Sequence, residues 1–239
     1  MKSKPSAAGG FGGFSEEGLL FLQKLAKNNK RDWFLPRKGF FEEHLQAPMT
    51  QLMFAVEREL TKSEMRLRVN PKSATFRIYR DIRFSADKTP YHTHISGVLY
   101  RNGNKNAPGA LYVHIGDKEH FTGAGFWQPE RSLLTNWRLS MQDEQEMFLS
   151  VIKQLKRKKL DVSQANSLQR MPRGFETMNG KPVAEFLRLQ SFTVRRMISK
   201  SEAMSRDLPG QIARFALDAK PLLDYGWALP EAKRPLFAE

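Results

Sequence analysis

No cysteine occurs among the 239 residues. Its absence excludes a disulfide framework, a thiolate metal site and a cysteine nucleophile, and suits a cytoplasmic protein. No run approaches the roughly 20 consecutive apolar residues that a membrane helix needs, so no membrane partner is expected. Acid is scarce beside base: 25 Asp plus Glu face 39 Lys plus Arg, a formal net charge of +14. Apolar residues are not scarce. They make up 40% of the chain, with 17 Phe and 10 Met, which is enough for a core and excludes a wholly disordered basic protein. The length fits one domain.

Residues 1–13 are dominated by Gly, Ser, Ala and Pro, lack an apolar signal region and read as a flexible tail. Residues 14–230 read as one domain and 231–239 as a C-terminal tail. A helix is expected from Ser15, an N-cap with Phe14 and Leu19 at the hydrophobic-staple positions. A second helical stretch around Phe40, Phe41 and Leu45 is expected to break at Pro48. A third follows, with Met49, Leu52, Met53, Val56 and Leu60 on one stripe.

The period then changes. Thr75 to Arg83 alternates, with Phe76, Ile78, Ile82 and Phe84 on a core side and Arg77, Tyr79, Asp81 and Arg83 on the other. Further strands are expected over Tyr91–Tyr100, Ala110–Ile115 and Glu119–Thr122, forming an antiparallel meander. Helices return with Leu133, Trp137 and Met141 on one stripe. A D-x-x-E box at Asp143 and Glu146 then opens a helix whose core face is Met147, Val151 and Leu155, widened by Phe148 and Ile152. A short helix after Pro182 and a last one from Asp207 to Leu223 complete the pattern. The fold class is α+β: a central antiparallel sheet flanked by N- and C-terminal helices.

The positive charge lies in blocks. Residues 66–88, 153–159 and 170–206 each carry a net +5, and the rest of the chain is about neutral. Blocks of one sign mark an anionic partner or a solvated face. The densest run is Arg77-Ile78-Tyr79-Arg80-Asp81-Ile82-Arg83-Phe84-Ser85-Ala86-Asp87-Lys88-Thr89-Pro90-Tyr91. Guanidinium forks on one strand face can grip a phosphate or carboxylate. On that reading Arg77, Arg80 and Arg83 clamp the ligand, Asp81 and Asp87 position them, Lys88 adds charge, and Tyr79 and Tyr91 line the site. Asp87 and Tyr91 are the candidates for proton transfer. The alternative is an internal Arg–Asp network that pins a loop to the domain.

The run R-I-Y-R-D-I-R-F-S-x-D-K-T-P-Y resembles the signature of the family called domain of unknown function 2461. Other segments agree in order: Asn28-Asn29 with Asp32-Trp33-Phe34, Leu111 to Ile115, Gly123-Ala124-Gly125-Phe126-Trp127-Gln128-Pro129, Pro172-Arg173-Gly174-Phe175, and Lys220-Pro221-Leu222. Ala124 stands where the family pattern has a Gly. The resemblance implies a single α/β-type domain and supplies no established activity, so no catalytic residue carries over.

Three further features bear on function. Gly123 and Gly125 form a turn ahead of a helix, which is either a plain connection or an anion cradle; the spacing is not a P-loop or dinucleotide fingerprint. His92 and His94 share a strand face near His114 and, with Asp81 or Asp87, are candidates for a metal site. The Lys153–Lys159 run is either a solvated helix end or a phosphate-backbone contact. No cofactor is indicated. The first expectation is a protein that binds an anionic, phosphate-bearing small molecule. The second is a nucleic-acid binder using the three basic blocks, with Tyr79 and Tyr91 as stacking platforms because Phe76 and Phe84 face the core. The third is a metal-dependent hydrolase.

Overall fold

The computed structural model describes residues 10–229; the tail at 231–239 and the start of the N-terminal tail lie outside them. Phe11, read above as part of that tail, is buried against Phe14 at 5.5 Å between ring centroids. In chain order the helices α1 (Glu16–Lys27), α2 (Arg31–Phe34), α3 (Lys38–Phe41) and α4 (Ala47–Thr61) precede the strands β1 (Leu67–Val69), β2 (His94–Arg101), β3 (Ala110–Gly116) and β4 (His120–Phe126). Then come α5 (Arg131–Asp143), α6 (Gln145–Arg157), α7 (Ala184–Leu187), β5 (Phe192–Met197), α8 (Lys200–Ala203), α9 (Leu208–Asp218) and α10 (Lys220–Ala228). The strands form one five-stranded antiparallel sheet in the order β1-β2-β3-β4-β5. The α+β class expected from the sequence is the one observed. Among the described residues no helix is long and apolar enough to cross a membrane.

The chain divides into two compact units. The first comprises residues up to 106, 111–122 and 196–215. In it the Ser15 hydroxyl caps α1 by accepting from the Gly18 amide at 3.1 Å, and Phe14 and Leu19 are buried as a staple requires. Pro48 does not end a helix. It sits in the first turn of α4, directly after a π-helical turn over Glu42–Gln46. The wider turn relieves the carbonyl that a proline ring would otherwise crowd and that it cannot donate to. Met49, Leu52, Met53 and Val56 of α4 are buried, and α4 packs on β1 and β2. Each such side chain contributes roughly 1.5–3 kcal/mol by leaving water. Gly97 of β2 lies under this contact; a Cβ there would stand 2.5 Å from the Met53 sulfur.

The second unit comprises 107–110, 123–195 and the residues from 216 onward. Its core centres on Trp137, stacked on Phe192 at 4.0 Å and 6°, with Phe126, Phe148 and Tyr225 around it. The D-x-x-E box is absent. Asp143 is the last residue of α5, and α6 starts at Gln145 with no side-chain cap. Phe148, Val151, Ile152 and Leu155 are buried as expected, while Met147 is 52% exposed. The final helix is two helices joined at Ala219, with Pro221 in the first turn of α10.

Three corrections concern the sheet. The strand expected at Thr75–Arg83 is reduced to two isolated bridges, Thr75 to Gly97 and Tyr79 to Tyr91. Two residues more separate the bridge points on the 91–97 side than on the 75–79 side, so the ladder cannot stay in step. Strands β1 and β5 were not anticipated: β1 has three residues, and the basic pair Arg195-Arg196 masks the apolar alternation of β5.

Candidate anion-binding site

The run from Arg77 to Tyr91 is an excursion of the first unit. Its two legs pair where the Arg80 amide donates to the Pro90 carbonyl at 2.9 Å and the His92 amide to the Ile78 carbonyl at 2.7 Å. A loop over residues 81–89 joins them. The aspartates of this loop are occupied. Asp81 takes the Arg83 guanidinium in a fork, Nε to Oδ1 at 3.0 Å and Nη2 to Oδ2 at 2.7 Å. Asp87 takes Arg80 Nη1 at 2.6 Å and accepts from the Thr89 amide and hydroxyl. Arg80 also donates to the Thr89 carbonyl at 3.1 Å and to its hydroxyl. Lys88 reaches back to the Ile82 carbonyl at 3.0 Å. These bonds hold the Asp87 carboxyl down to about 2, the Thr89 amide foremost, and the Arg83 fork lowers that of Asp81. A carboxylate so well satisfied is a weak base, so Asp87 is poorly placed for proton transfer.

Arg77 is the exception among the central bases. It is exposed and makes no hydrogen bond or ion pair within the described residues. Its charge is felt nearby: burial is the first cause of the lowered pKa of His92, and the charges of Arg80 and Arg77 add to it. The half-buried His92 is paired through its amide with Ile78, the residue after Arg77.

The other side of the excursion is packed. Tyr91 is only 1% exposed, lies against Phe34 at 4.2 Å and against Tyr79 at 5.4 Å, and cannot line an open site. Burial pushes its phenol upward and the nearby Arg31 pulls the other way. The Asn29 side chain brackets the same residue, donating to the Tyr91 carbonyl at 2.8 Å and accepting from its amide at 3.1 Å. Asn29 and Phe34 thus fix where the excursion begins, a role that the spacing of Asn28-Asn29 and Trp33-Phe34 alone does not reveal. Asn29→Leu is expected to cost about 2 kcal/mol, because two buried backbone groups lose their partners; urea unfolding measures it, and an unchanged midpoint would refute the bracket.

One expected platform, Tyr91, is inside, and two expected core residues are outside. Phe84 is 95% exposed at the loop and Phe76 is 48% exposed, where the alternation placed both inside. Phe84 lies beside its neighbour Arg83, whose guanidinium carbon is 5.8 Å from the ring centroid. Tyr79 remains 40% exposed.

The face of β2 and β3 away from α4 carries the histidines. His92 and His94 are 4.9 Å apart between ring centroids, His94 and His114 4.2 Å, and His114 stacks on Phe121 at 4.7 Å and 16°. The Tyr112 hydroxyl is 3.2 Å from His114 Nδ1. Burial first, and the neighbouring imidazoles second, bring His94 and His114 down to about 4. Asp117 is turned to the Thr93 hydroxyl at 2.8 Å. Among the described residues no three His, Asp or Glu converge to hold a metal ion; Asp81 and Asp87 are engaged by arginines instead.

Gly123 and Gly125 do not form the expected turn. Both lie within β4, and the chain turns later, at Trp127-Gln128, where the Gln128 amide donates to the Ser191 hydroxyl at 2.9 Å. The Phe192 carbonyl oxygen sits 2.1 Å from where a Gly125 Cβ would be. A carbonyl oxygen repels an anion, so that side of Gly125 offers no cradle. Of the basic block at 153–159, Lys153, Lys156, Arg157 and Lys159 are exposed around the end of α6, and Lys158 pairs with Asp218 at 3.4 Å.

Two clefts stand out among the described residues. One, of about 300 Å³, is lined in the first unit by Leu19, Leu20 and Gln23 of α1, the 116–120 turn, and Met197, Ile198 and Lys200. The other, of about 360 Å³, is lined in the second unit by residues between Gln169 and Arg188. Neither includes a residue of the central run.

The segments that pack this excursion are the ones that resemble a family signature, and a family model described as conserved hypothetical protein (DUF2461) matches residues 17–225. The chain belongs to the DUF2461 family. No curated protein and no solved structure matches it. In this DUF2461 member several signature positions have structural work. Asn29 and Phe34 seat Tyr91, Gly125 admits the backbone of β5, Phe175 is buried, and Lys220 pairs with Asp224 across the first turn of α10. Arg77 and Phe84 have no such packing.

Proposed function

We propose that the first unit binds an anionic, phosphate-bearing ligand at Arg77, Arg80 and His92. The observation that supports this is that Arg77, on the leg that pairs with His92, has no hydrogen bond or ion pair among the described residues, while both acids of the excursion are already engaged by arginines. Net charge over residues 77–91 is +2, and a guanidinium with all its donors free is suited to a planar, bidentate grip on phosphate. Asp81, Asp87 and Lys88 act by holding the loop, with Arg83 tied to Asp81. Arg80 has both tasks, since it anchors Asp87 and Thr89 and contributes charge.

The test therefore uses Arg77→Met, which removes no hydrogen bond or ion pair among the described residues. Calorimetric titration with inorganic pyrophosphate is expected to show binding to the parent and at least tenfold weaker binding to the variant, as loss of a charged hydrogen bond of about 1.5–3 kcal/mol implies. The melting temperature should stay within about 1 °C, since surface changes away from such contacts cost little. Equal pyrophosphate affinity in the two proteins would end the proposal. Arg80→Met is a poorer probe, because it also releases the loop.

A further inference from the structure

The half-exposed rings of the first unit form one continuous line. Phe76 stands 6.0 Å from Tyr112, Tyr112 5.9 Å from Phe121, and Phe121 4.7 Å from His114; His94 and His92 continue it at 4.2 Å and 4.9 Å. At the His92 end the line reaches the leg that carries Arg77 and Arg80, where the His92 amide donates to the Ile78 carbonyl at 2.7 Å. Its residues line neither of the two clefts described above. The line carries an amphipathic polar component, three imidazoles and a phenol, which an aliphatic lipid surface does not need. The loop that follows Arg80 presents Phe84, almost wholly exposed and flanked by Arg83.

From this we infer that the phosphate-bearing ligand is a single-stranded nucleic acid, its bases lying along the rings from Phe76 to His92 and its phosphates meeting Arg77 and Arg80. The inference rests on the reading of those arginines as phosphate ligands. Stacking on aromatic side chains needs bases that are not already stacked inside a duplex, which selects single strands. Every base offers a flat face, so such a line is tolerant of sequence. With His94 and His114 uncharged near neutral pH, the attraction comes from the arginines.

Fluorescence anisotropy with a labelled 15-nucleotide oligouridylate tests this at about 50 mM salt, where phosphate contacts are strong. Binding is expected, weakening as salt rises. Phe76→Leu keeps bulk and removes the ring; it should reduce oligonucleotide affinity roughly tenfold, in line with about 1–3 kcal/mol per stacked base, and leave pyrophosphate binding unchanged. Arg77→Met should lower the salt slope by about 0.7. Pyrophosphate binding without oligonucleotide binding would overturn the inference and leave the arginine site standing; failure of both would remove the two together. Oligonucleotide binding that ignores Phe76→Leu and Tyr112→Ala would also overturn it. So would binding to phosphatidylserine vesicles in place of the oligonucleotide.

Discussion

Gly125→Ala is expected to destabilise the protein by about 4 kcal/mol or more, a drop of roughly 10 °C in melting temperature for a chain of this size. Two costs add. Gly125 has φ +132, a region that only glycine occupies readily, and forcing a side chain into it costs about 1–3 kcal/mol. The added Cβ would also stand 2.1 Å from the Phe192 oxygen and 2.8 Å from the Thr193 Cα, and these are backbone atoms of β5 that cannot rotate aside. Overpacking of this kind costs about 1–3 kcal/mol even where side chains can yield. Phe192 carries the ring stacked on Trp137, so a shift of β5 propagates into the core of the second unit. Gly174→Ala is the control. It has φ +88 and nothing within 4 Å of an added Cβ, and it should lose only about 1 kcal/mol. Equal melting temperatures for the two variants would show that the close approach of the strands is not what Gly125 serves.

Stability should also fall by about 3 kcal/mol between pH 6.5 and 4, after discounting for the partial exposure of the groups responsible. His94 and His114 have an ordinary value of 6.5 and folded values of about 4. A lowered base is neutral in the fold and protonated in the unfolded chain across that interval, so the unfolded state binds more protons and acid favours it. The contribution is complete above 6.5 and exhausted below 4. Burial supplies most of it, the mutual repulsion of the imidazoles the rest, and Asp117 opposes both. The carboxylates act lower. Asp87, with a folded value of about 2 against 3.8, loses its contribution only as the pH falls from 3.8 towards 2. Urea unfolding at pH 7, 5.5 and 4.2 follows the upper window and stops above the lower one. In His114→Phe the upper slope should be roughly halved; the same loss in that variant as in the parent would assign the acid sensitivity elsewhere.

Local signals were legible where they are complete within a few residues. Ser15 with Phe14 and Leu19 marks the start of α1, the stripe from Met49 to Leu60 marks α4, and the paired Gly, Pro and aromatic positions mark the family. The Asp143 box failed because α5 runs one turn of logic further than its own sequence demands: Asp143 is spent inside α5, and the break falls at Glu144. Strand β5 was hidden because its apolar positions Phe192 and Val194 are followed by Arg195 and Arg196. The candidate arginines were found, but their duties were not, since an Arg–Asp pair looks the same in a sequence whether it grips a ligand or a loop.

The sequence by itself determined an α+β chain of the DUF2461 family with a dense basic run near its middle. Capping, helical period and composition act over a few residues and need no partner. Only the tertiary structure decided that Asp81 and Asp87 are already paired, that Arg77 has no ion pair among the described residues, and that Tyr91 is inside while Phe76 and Phe84 are outside. The reason is the unequal spacing of the two bridges, Thr75 to Gly97 and Tyr79 to Tyr91. Alternation assigns faces correctly only while two strands stay in step. Here the partner carries two extra residues, and which rings meet water is set by a segment more than ten residues away.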